Sequence, residues 1–205
     1  DEQVQEGGEG QGRTLGQRVA RYLKHYCSKF KSQKQQPPGG HTWEFAATTA
    51  IGTFLSVLLV TGVDKHMSTV YYRNDFIIVF INSMAAVGAM IFSAPTSLLV
   101  QPRNIFGGHL IAILIALLLD YAVSVHHYIP MFVGQAIAPA LAIFVMAKLG
   151  LIHPPACACC VIYLDGYPEH KNLGWMFVVA PVLIDCFMMV VMGCCVNNLS
   201  VERAY

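Results

Sequence analysis

The densest group of side chains that could do chemistry lies in GLIHPPACACCVIY, residues 150–163. His153, Cys157 and Cys160 are spaced i, i+4 and i+7, which places them on one face of a helix. Imidazole and thiolate groups bind transition metals, so this spacing raises the question of a metal or redox site. The chain contains no CxxC…CxxC arrangement, and small residues are favoured where membrane helices meet. We therefore expect the cysteines to pack as small residues, with no metal and no cofactor.

The His-Pro-Pro tripeptide predicts the start of a helix. Proline is favoured at the first helical position and pushes the preceding residue, His153, out of the helical region. Because Pro154 and Pro155 have no N–H, the remaining free donors at this helix end are expected at Ala156 and Cys157. Such a helix N-terminus can bind an anion, and His153 can add a donor. The alternative is a structural stop in which His153 bonds to a neighbouring carbonyl.

Asp185 is the second candidate for chemistry, because it lies near the middle of the apolar segment 173–196. An ionisable side chain at that depth is costly and marks a functional position by default. Asp185 is thus a candidate for a proton or substrate pathway. The alternative is a structural hydrogen bond to His109 or Asn82.

The composition is that of a membrane protein. Of the 205 residues, 55% are hydrophobic and only 12% are charged, whereas a soluble domain carries roughly 25% charged residues. The net charge is +1, which gives no indication of a nucleic-acid partner. No nucleotide-binding loop, nucleophile elbow or zinc-protease motif is present, so we predict neither an enzyme nor catalytic residues.

The elements that position these residues are predicted to be helices, giving an all-α, polytopic transmembrane protein. A spanning helix needs ~17–25 apolar residues, so residues 154–164 fall short and predict a broken or re-entrant helix. The sequence therefore predicts five or six membrane segments among six apolar stretches, namely 45–62, 76–92, 105–121, 131–149, 154–164 and 173–196.

A weak internal repeat predicts two three-helix units with inverted orientation, a plan typical of transporters. Each half runs from a proline turn through Asn and Gly to an Asp at or within an apolar segment. The matched positions are Ala94-Pro95, Asn104, Gly107 and Asp120 in one half, and Pro154-Pro155, Asn172, Gly174 and Asp185 in the other.

Three regions are predicted along the chain. Residues 1–12 form a flexible tail, residues 13–40 an amphipathic basic helix and its linker, and residues 41–205 the transmembrane domain. The apolar face within 13–30 is suited to membrane lipids, to partner subunits of a membrane complex, or to the protein's own body.

The distribution of basic residues predicts an orientation. If six segments cross, ten Lys and Arg lie on the side of the N-terminus and three on the other. The positive-inside rule then places the N-terminus in the cytosol-equivalent compartment. Since the sequence begins at Asp1 without Met, we expect either a removed organelle-import segment or a trimmed N-terminus. We favour import, and hence a matrix or stromal N-terminus.

The stretch SAPTSLLVQPRNIFGGHL (93–110), followed by an apolar helix and then HPPA (153–156), resembles the HPP family of integral membrane proteins. Plant members of this family are described as nitrite transporters of the chloroplast envelope. The resemblance implies a small inorganic anion as substrate and the inner membrane of a mitochondrion or plastid. The matched motif positions, which it implies as substrate-binding candidates beside Ala156, Cys157 and Asp185, are Pro102, Arg103, Asn104, Gly107, Gly108, His109, His153, Pro154 and Pro155.

The chain departs from the family pattern where an anion would be held. The family typically continues His-Pro-Pro-Ala with Gly-Ala-Thr, whereas this chain has Cys157-Ala158-Cys159-Cys160. An earlier Gly-Ala-Ser stretch is Ala85-Ala86-Val87 here. Glycine permits close backbone approach and Ser or Thr supplies a hydroxyl, and both are missing. Two functions therefore stay open: a nitrite-like transporter, for which a homo-oligomer is one expected assembly, and a non-transporting accessory subunit of a large organellar membrane complex.

Overall fold

The computed structural model describes residues 14–28, 39–70, 81–165, 168–199 and 205, and every regular element in these ranges is helical. The predicted all-α class is thereby confirmed. The chain divides into two compact units at Gly40, which are described separately.

The N-terminal unit contains one described helix, α1 (Leu15–Ser28). Its start is fixed by the Gln17 side chain, which accepts a hydrogen bond from the Thr14 N–H at 3.1 Å, as in one half of a capping box. The apolar residues of α1 are exposed within this unit, namely Leu15, Val19, Tyr22, Leu23 and Tyr26. The predicted tail 1–12, together with residue 13 and residues 29–38, lies outside the described residues.

The second unit, His41–Tyr205, contains seven α-helices in its described part. They are α2 (Trp43–Val70), α3 (Ser83–Ser93), α4 (Pro102–Asp120), α5 (Met131–Leu149), α6 (Pro154–Asp165), α7 (Pro168–Leu173) and α8 (Ile184–Asn197). A 3₁₀ turn (Leu98–Val100) precedes α4, and π-helical segments extend α4 (Tyr121–Val125) and lead into α8 (Val178–Leu183).

Among the described residues, four helical stretches are long and apolar enough to cross a membrane, namely Trp43–Met67, Pro102–Ser124, Met131–Leu149 and Val178–Asn197. The helices α3 and α6 are shorter apolar helices. Residues 76–80 of the predicted segment 76–92 lie outside the described residues. The predicted segment 173–196 begins later than expected, because α7 ends at Leu173 and Gly174 then adopts a left-handed φ of 49°.

The helices of this unit pack in two groups of three. In one group α4, α5 and α6 contact one another, and in the other α2, α3 and α8 do so. Contacts of α3 with α6 and of α4 with α8 join the two groups. Small residues permit close approach: a Cβ added to Gly88 of α3 would lie 2.8 Å from the buried Ser56 hydroxyl of α2.

Hydrogen bonds between helix ends define two opposite ends of this unit. At the Arg103 end, four side chains donate hydrogen bonds to backbone carbonyls of another segment. The pairs are Arg103 with Gly150, Thr49 with Phe92, Asn197 with Ile91 and Tyr205 with Val100. At the Asp120 end, Asp120 pairs with Lys171, and Gln135 donates to Asp165. Successive apolar helices therefore run in alternate directions between the two ends.

The predicted residue correspondence of the internal repeat is wrong in part. Asp120 is the last residue of α4, whereas Asp185 lies in the first turn of α8. Asn104 lies within α4, but Asn172 lies in the short helix α7. The two sets of residues therefore do not occupy equivalent places in the fold.

Candidate functional site

The loop between α5 and α6 is held against the first turn of α4. It begins at Gly150, whose left-handed φ of 67° ends α5. The Arg103 guanidinium donates to the Gly150 carbonyl at 2.9 Å, and the Asn104 amide donates to the Ile152 carbonyl at 3.1 Å. Arg103 therefore anchors this loop.

Two motif glycines of α4 allow the loop to approach the helix closely. A Cβ added to Gly107 would lie 2.9 Å from the Leu151 side chain, and one added to Gly108 would lie 2.7 Å from the His153 Cβ. A Cβ at Gly108 would displace the loop, because it meets the first side-chain carbon of His153, whereas a Cβ at Gly107 would require only the end of the Leu151 side chain to shift. The Gly-Gly pair thus brings His153 against α4, next to His109.

His109 and His153 form a buried pair, which we call the histidine site. Their ring centroids are 5.0 Å apart, and both side chains are fully buried. His109 Nδ1 lies 2.9 Å from the Ile105 carbonyl oxygen, and His153 Nδ1 lies 2.7 Å from that of Leu99. Since a carbonyl only accepts, each Nδ1 must carry its proton and donate.

The tautomer that follows leaves a lone pair on the other nitrogen of each ring. In a neutral imidazole with a protonated Nδ1, Nε2 is an acceptor. Both Nε2 atoms are buried and have no hydrogen-bond partner among the described residues. The histidine site therefore presents two desolvated acceptor nitrogens in the protein interior.

The start of α6 provides fewer backbone donors than the sequence predicted. Pro154 and Pro155 open the helix as expected, but the Ala156 N–H donates to the His153 carbonyl at 3.1 Å. The prediction of a free donor at Ala156 was wrong, because the first turn of the helix closes on itself. An anion at this end would therefore depend on side chains more than on backbone N–H groups.

The cysteines of α6 face neighbouring helices. The Cys157 thiol lies 3.8 Å from the Pro139 carbonyl, and the Cys160 thiol donates to the Ala112 carbonyl at 3.2 Å. Cys159 is fully buried close to Ser83 and Asp185. Within the described ranges no group of three or more His, Cys, Asp and Glu side chains is arranged to hold a metal ion.

Asp185 occupies a second place, which we call the aspartate site and define by Asp185, Ser83 and Cys159. The Asp185 carboxylate is fully buried near the backbone of Ile81, which precedes α3. Both its oxygens and the Ser83 hydroxyl lack a hydrogen bond of standard geometry in the described part of the chain, and the groups nearest to them are the Ile81 backbone and the Cys159 thiol. The predicted alternative of a bond to His109 or Asn82 is therefore not borne out, and Asp185 does not join the motif histidines.

Sequence reasoning found most of the residues around the histidine site but not their partners. It missed the Leu99 carbonyl, which fixes His153, and Leu151, which packs on Gly107. It also missed Ser83, which lies at the start of α3 beside Asp185. A proline-flanked turn at 94–102 was the available signal for the first of these, since a turn there must pass close to the start of α4.

Comparison with known proteins agrees with the motif. The family described as HPP, transmembrane region, matches residues 38–205. Two proteins of Dictyostelium discoideum, whose names say only that they are transmembrane proteins, are similar to this chain. One is 28% identical over 191 residues, covering 91% of this chain and 62% of the relative, and the other is 28% identical over 187 residues, covering 90% and 57%.

The family match covers most of the chain, so this protein belongs to the HPP family of multi-pass integral membrane proteins. The chain spans about three fifths of the length of the curated relatives it matches. No solved structure matches it significantly.

Proposed function

We propose that this protein carries a small, nitrite-like anion across the inner membrane of a mitochondrion or plastid, and that the substrate passes through the histidine site. The observation that carries the proposal is the pair of fully buried imidazoles with unpartnered Nε2 atoms. Buried titratable groups are costly inside a membrane protein, and unpaired polar atoms there are the usual lining of a substrate path.

We infer six membrane crossings. The α6 helix contains 12 residues, which rise ~18 Å, and its C-terminal Asp165 meets Gln135 near the start of α5. Residues 151–153, which have no regular secondary structure, supply the remaining length. Thus α6 runs beside most of α5, and the described chain from His41 to Tyr205 begins and ends at the Arg103 end.

The orientation follows from charge. Arg103 and Lys148 lie at the Arg103 end, where the chain enters this unit after a segment with seven basic residues. Lys171 lies at the opposite end. By the positive-inside rule the Arg103 end faces the matrix or stroma.

The packing pattern supports an inverted repeat of α2–α3–α4 and α5–α6–α8. Exchanging α2 with α5, α3 with α6 and α4 with α8 maps the observed helix neighbours onto one another. Each third helix then packs against the first two helices of the other repeat. Transporters built from inverted repeats bind their substrate between the two repeats, near the membrane centre. In this protein the repeats meet where α3 contacts α6 and α4 contacts α8.

Uptake by purified protein in liposomes tests the proposal. We expect protein-dependent uptake of nitrite that is strongly reduced by His153→Ala and by Asp185→Asn. His127→Asn is a matched control, because His127 is exposed in the loop after α4 and its φ of 53° is one that asparagine tolerates. Folding of each variant is checked by its elution in detergent. Unchanged uptake in both site variants would refute the assigned roles.

A second candidate function is that of a non-transporting accessory subunit of a large organellar membrane complex. The closed first turn of α6 favours it, since the Ala156 N–H is already used, as does the exposed apolar face of α1. Gentle extraction from the native membrane, followed by native electrophoresis and mass spectrometry, separates the candidates. A small homo-oligomer supports transport, whereas co-migration with many partners, with α1 protected from surface labelling, supports a subunit.

A further inference from the structure

We infer that the histidine site takes up its anion together with a proton, which His109 Nε2 and His153 Nε2 hold, so that transport is electroneutral. This inference rests on the proposed transport function. It adds the coupling ion and the two atoms that bind it.

The hydrogen bonds of the two rings leave each Nε2 atom as a hydrogen-bond acceptor. Each Nδ1 already donates to a backbone carbonyl, so neither ring can turn its donor toward a ligand without losing that bond. The two Nε2 lone pairs are buried and unpartnered in the described part of the chain, in rings whose centroids are 5.0 Å apart. An acceptor pair of this kind binds a proton or a donor ligand and does not bind a bare anion.

The charges around the site explain why a proton would not bind alone. Arg103 lies on α4 two turns before His109, and Lys148 lies on α5. On α6 the neighbouring titratable groups are the Cys157 and Cys160 thiols, which point at backbone carbonyls. Among the described residues, α3, the 3₁₀ turn and the segment Val178–Leu183 carry no titratable side chain. Helix α8 carries Asp185 and Cys186 beside the aspartate site.

Neither imidazole contacts a carboxylate in the described ranges, and both lie at the positive end of the α6 dipole. A proton on the pair would thus be an uncompensated charge in a low-dielectric interior. An anion that enters with it supplies the missing countercharge. Each ligand then raises the affinity for the other, which is thermodynamic coupling.

The transport step involves no covalent change in the substrate. A proton from water on one side adds to Nε2, one monovalent anion binds beside the resulting imidazolium, and both leave on the other side. One positive and one negative charge move together, so the net charge transferred is zero.

Nitrite uptake into liposomes under an imposed membrane potential tests the inference. Protein is reconstituted with a trapped pH indicator, and a valinomycin-mediated potassium gradient sets the potential; protein-free liposomes of the same lipid give the leak of nitrous acid. We expect protein-dependent uptake of nitrite that acidifies the interior and does not respond to the potential. In His109→Gln with His153→Gln the protein-dependent acidification is lost, and His127→Asn retains it.

The outcomes separate the two claims. Protein-dependent uptake that follows the potential and leaves the internal pH unchanged overturns proton coupling but leaves anion transport standing. Uptake no faster than the protein-free leak overturns the transport function, and the coupling with it. The wild-type measurement alone decides between these results. Protein-dependent acidification that persists in a folded double variant overturns the assignment of the proton to the two histidines.

Discussion

Two short helices, α3 and α6, each begin beside a buried titratable side chain from another helix of the same group. His109 of α4 lies next to His153, the residue before α6, and Asp185 of α8 lies near Ile81, which precedes α3. At the histidine site every ring has one nitrogen fixed by a backbone carbonyl, whereas the Asp185 carboxylate has no hydrogen-bond partner among the described residues. The rings of the first site are fixed by hydrogen bonds and each keeps one unpartnered nitrogen, whereas the second site is held mainly by packing.

The difference follows from how each helix start is built. A loop anchored by Arg103 and Asn104 carries His153 into α4, and glycines leave the space for it. Asp185, in contrast, lies just after the helical segment Val178–Leu183 runs into α8, and its side chain is enclosed by packing. The comparison predicts that substitutions at the two sites affect stability unequally.

The largest expected effect is that of Gly108→Val. Its Cβ would meet the His153 Cβ at 2.7 Å, so the loop must move and the contacts of both histidines are disturbed. We expect a loss of stability of about 1–3 kcal/mol, or more, measured by thermal unfolding in detergent. The matched control is Gly62→Val in α2, where an added Cβ meets nothing within 4 Å. Equal melting temperatures for the two variants would contradict the tight packing of His153.

A smaller effect is expected from removing the side chains themselves. His153→Leu leaves the Leu99 carbonyl without its donor, at a cost of about 1–3 kcal/mol. Asp185→Asn keeps the shape and breaks no hydrogen bond in the described ranges, so its stability should stay near that of the wild type. Thermal unfolding compares the two. A large destabilisation by Asp185→Asn would mean that the aspartate site is as firmly bonded as the histidine site.

The smallest effect is expected from replacing cysteines of α6, the helix that begins beside the histidine site and carries Cys159 of the aspartate site. Cys157→Gly with Cys159→Thr restores the family residues, giving a hydroxyl next to Ser83 and Asp185. If the cysteines narrow the path, nitrite uptake rises a few-fold in liposomes. Cys27→Ser, at an exposed position in α1, serves as the control for loss of a thiol. Unchanged uptake would mean that the cysteines do not limit passage.

Features of the site could be predicted from the sequence where they depend on neighbouring residues in the chain, and not where they depend on contacts between distant helices. The helix start at Pro154 and the close approach at Gly107-Gly108 could be anticipated, because proline and glycine act on the adjacent backbone. Two other features could not be anticipated from the sequence. The hydrogen bond of the Ala156 N–H depends on how the first helical turn closes, and the absence of a bond from Asp185 to His109 depends on how the helices are rotated.

The sequence by itself determined the membrane class, the family and the approximate helices, because burial in lipid demands long apolar runs and the motif residues are contiguous. Only the tertiary structure decided that His109 and His153 meet, that each directs its Nδ1 to a carbonyl, and that Asp185 lies apart from them. These facts arise from contacts between helices distant in the chain. Hydrophobicity places such helices in the membrane but leaves their neighbours and rotation to side-chain packing.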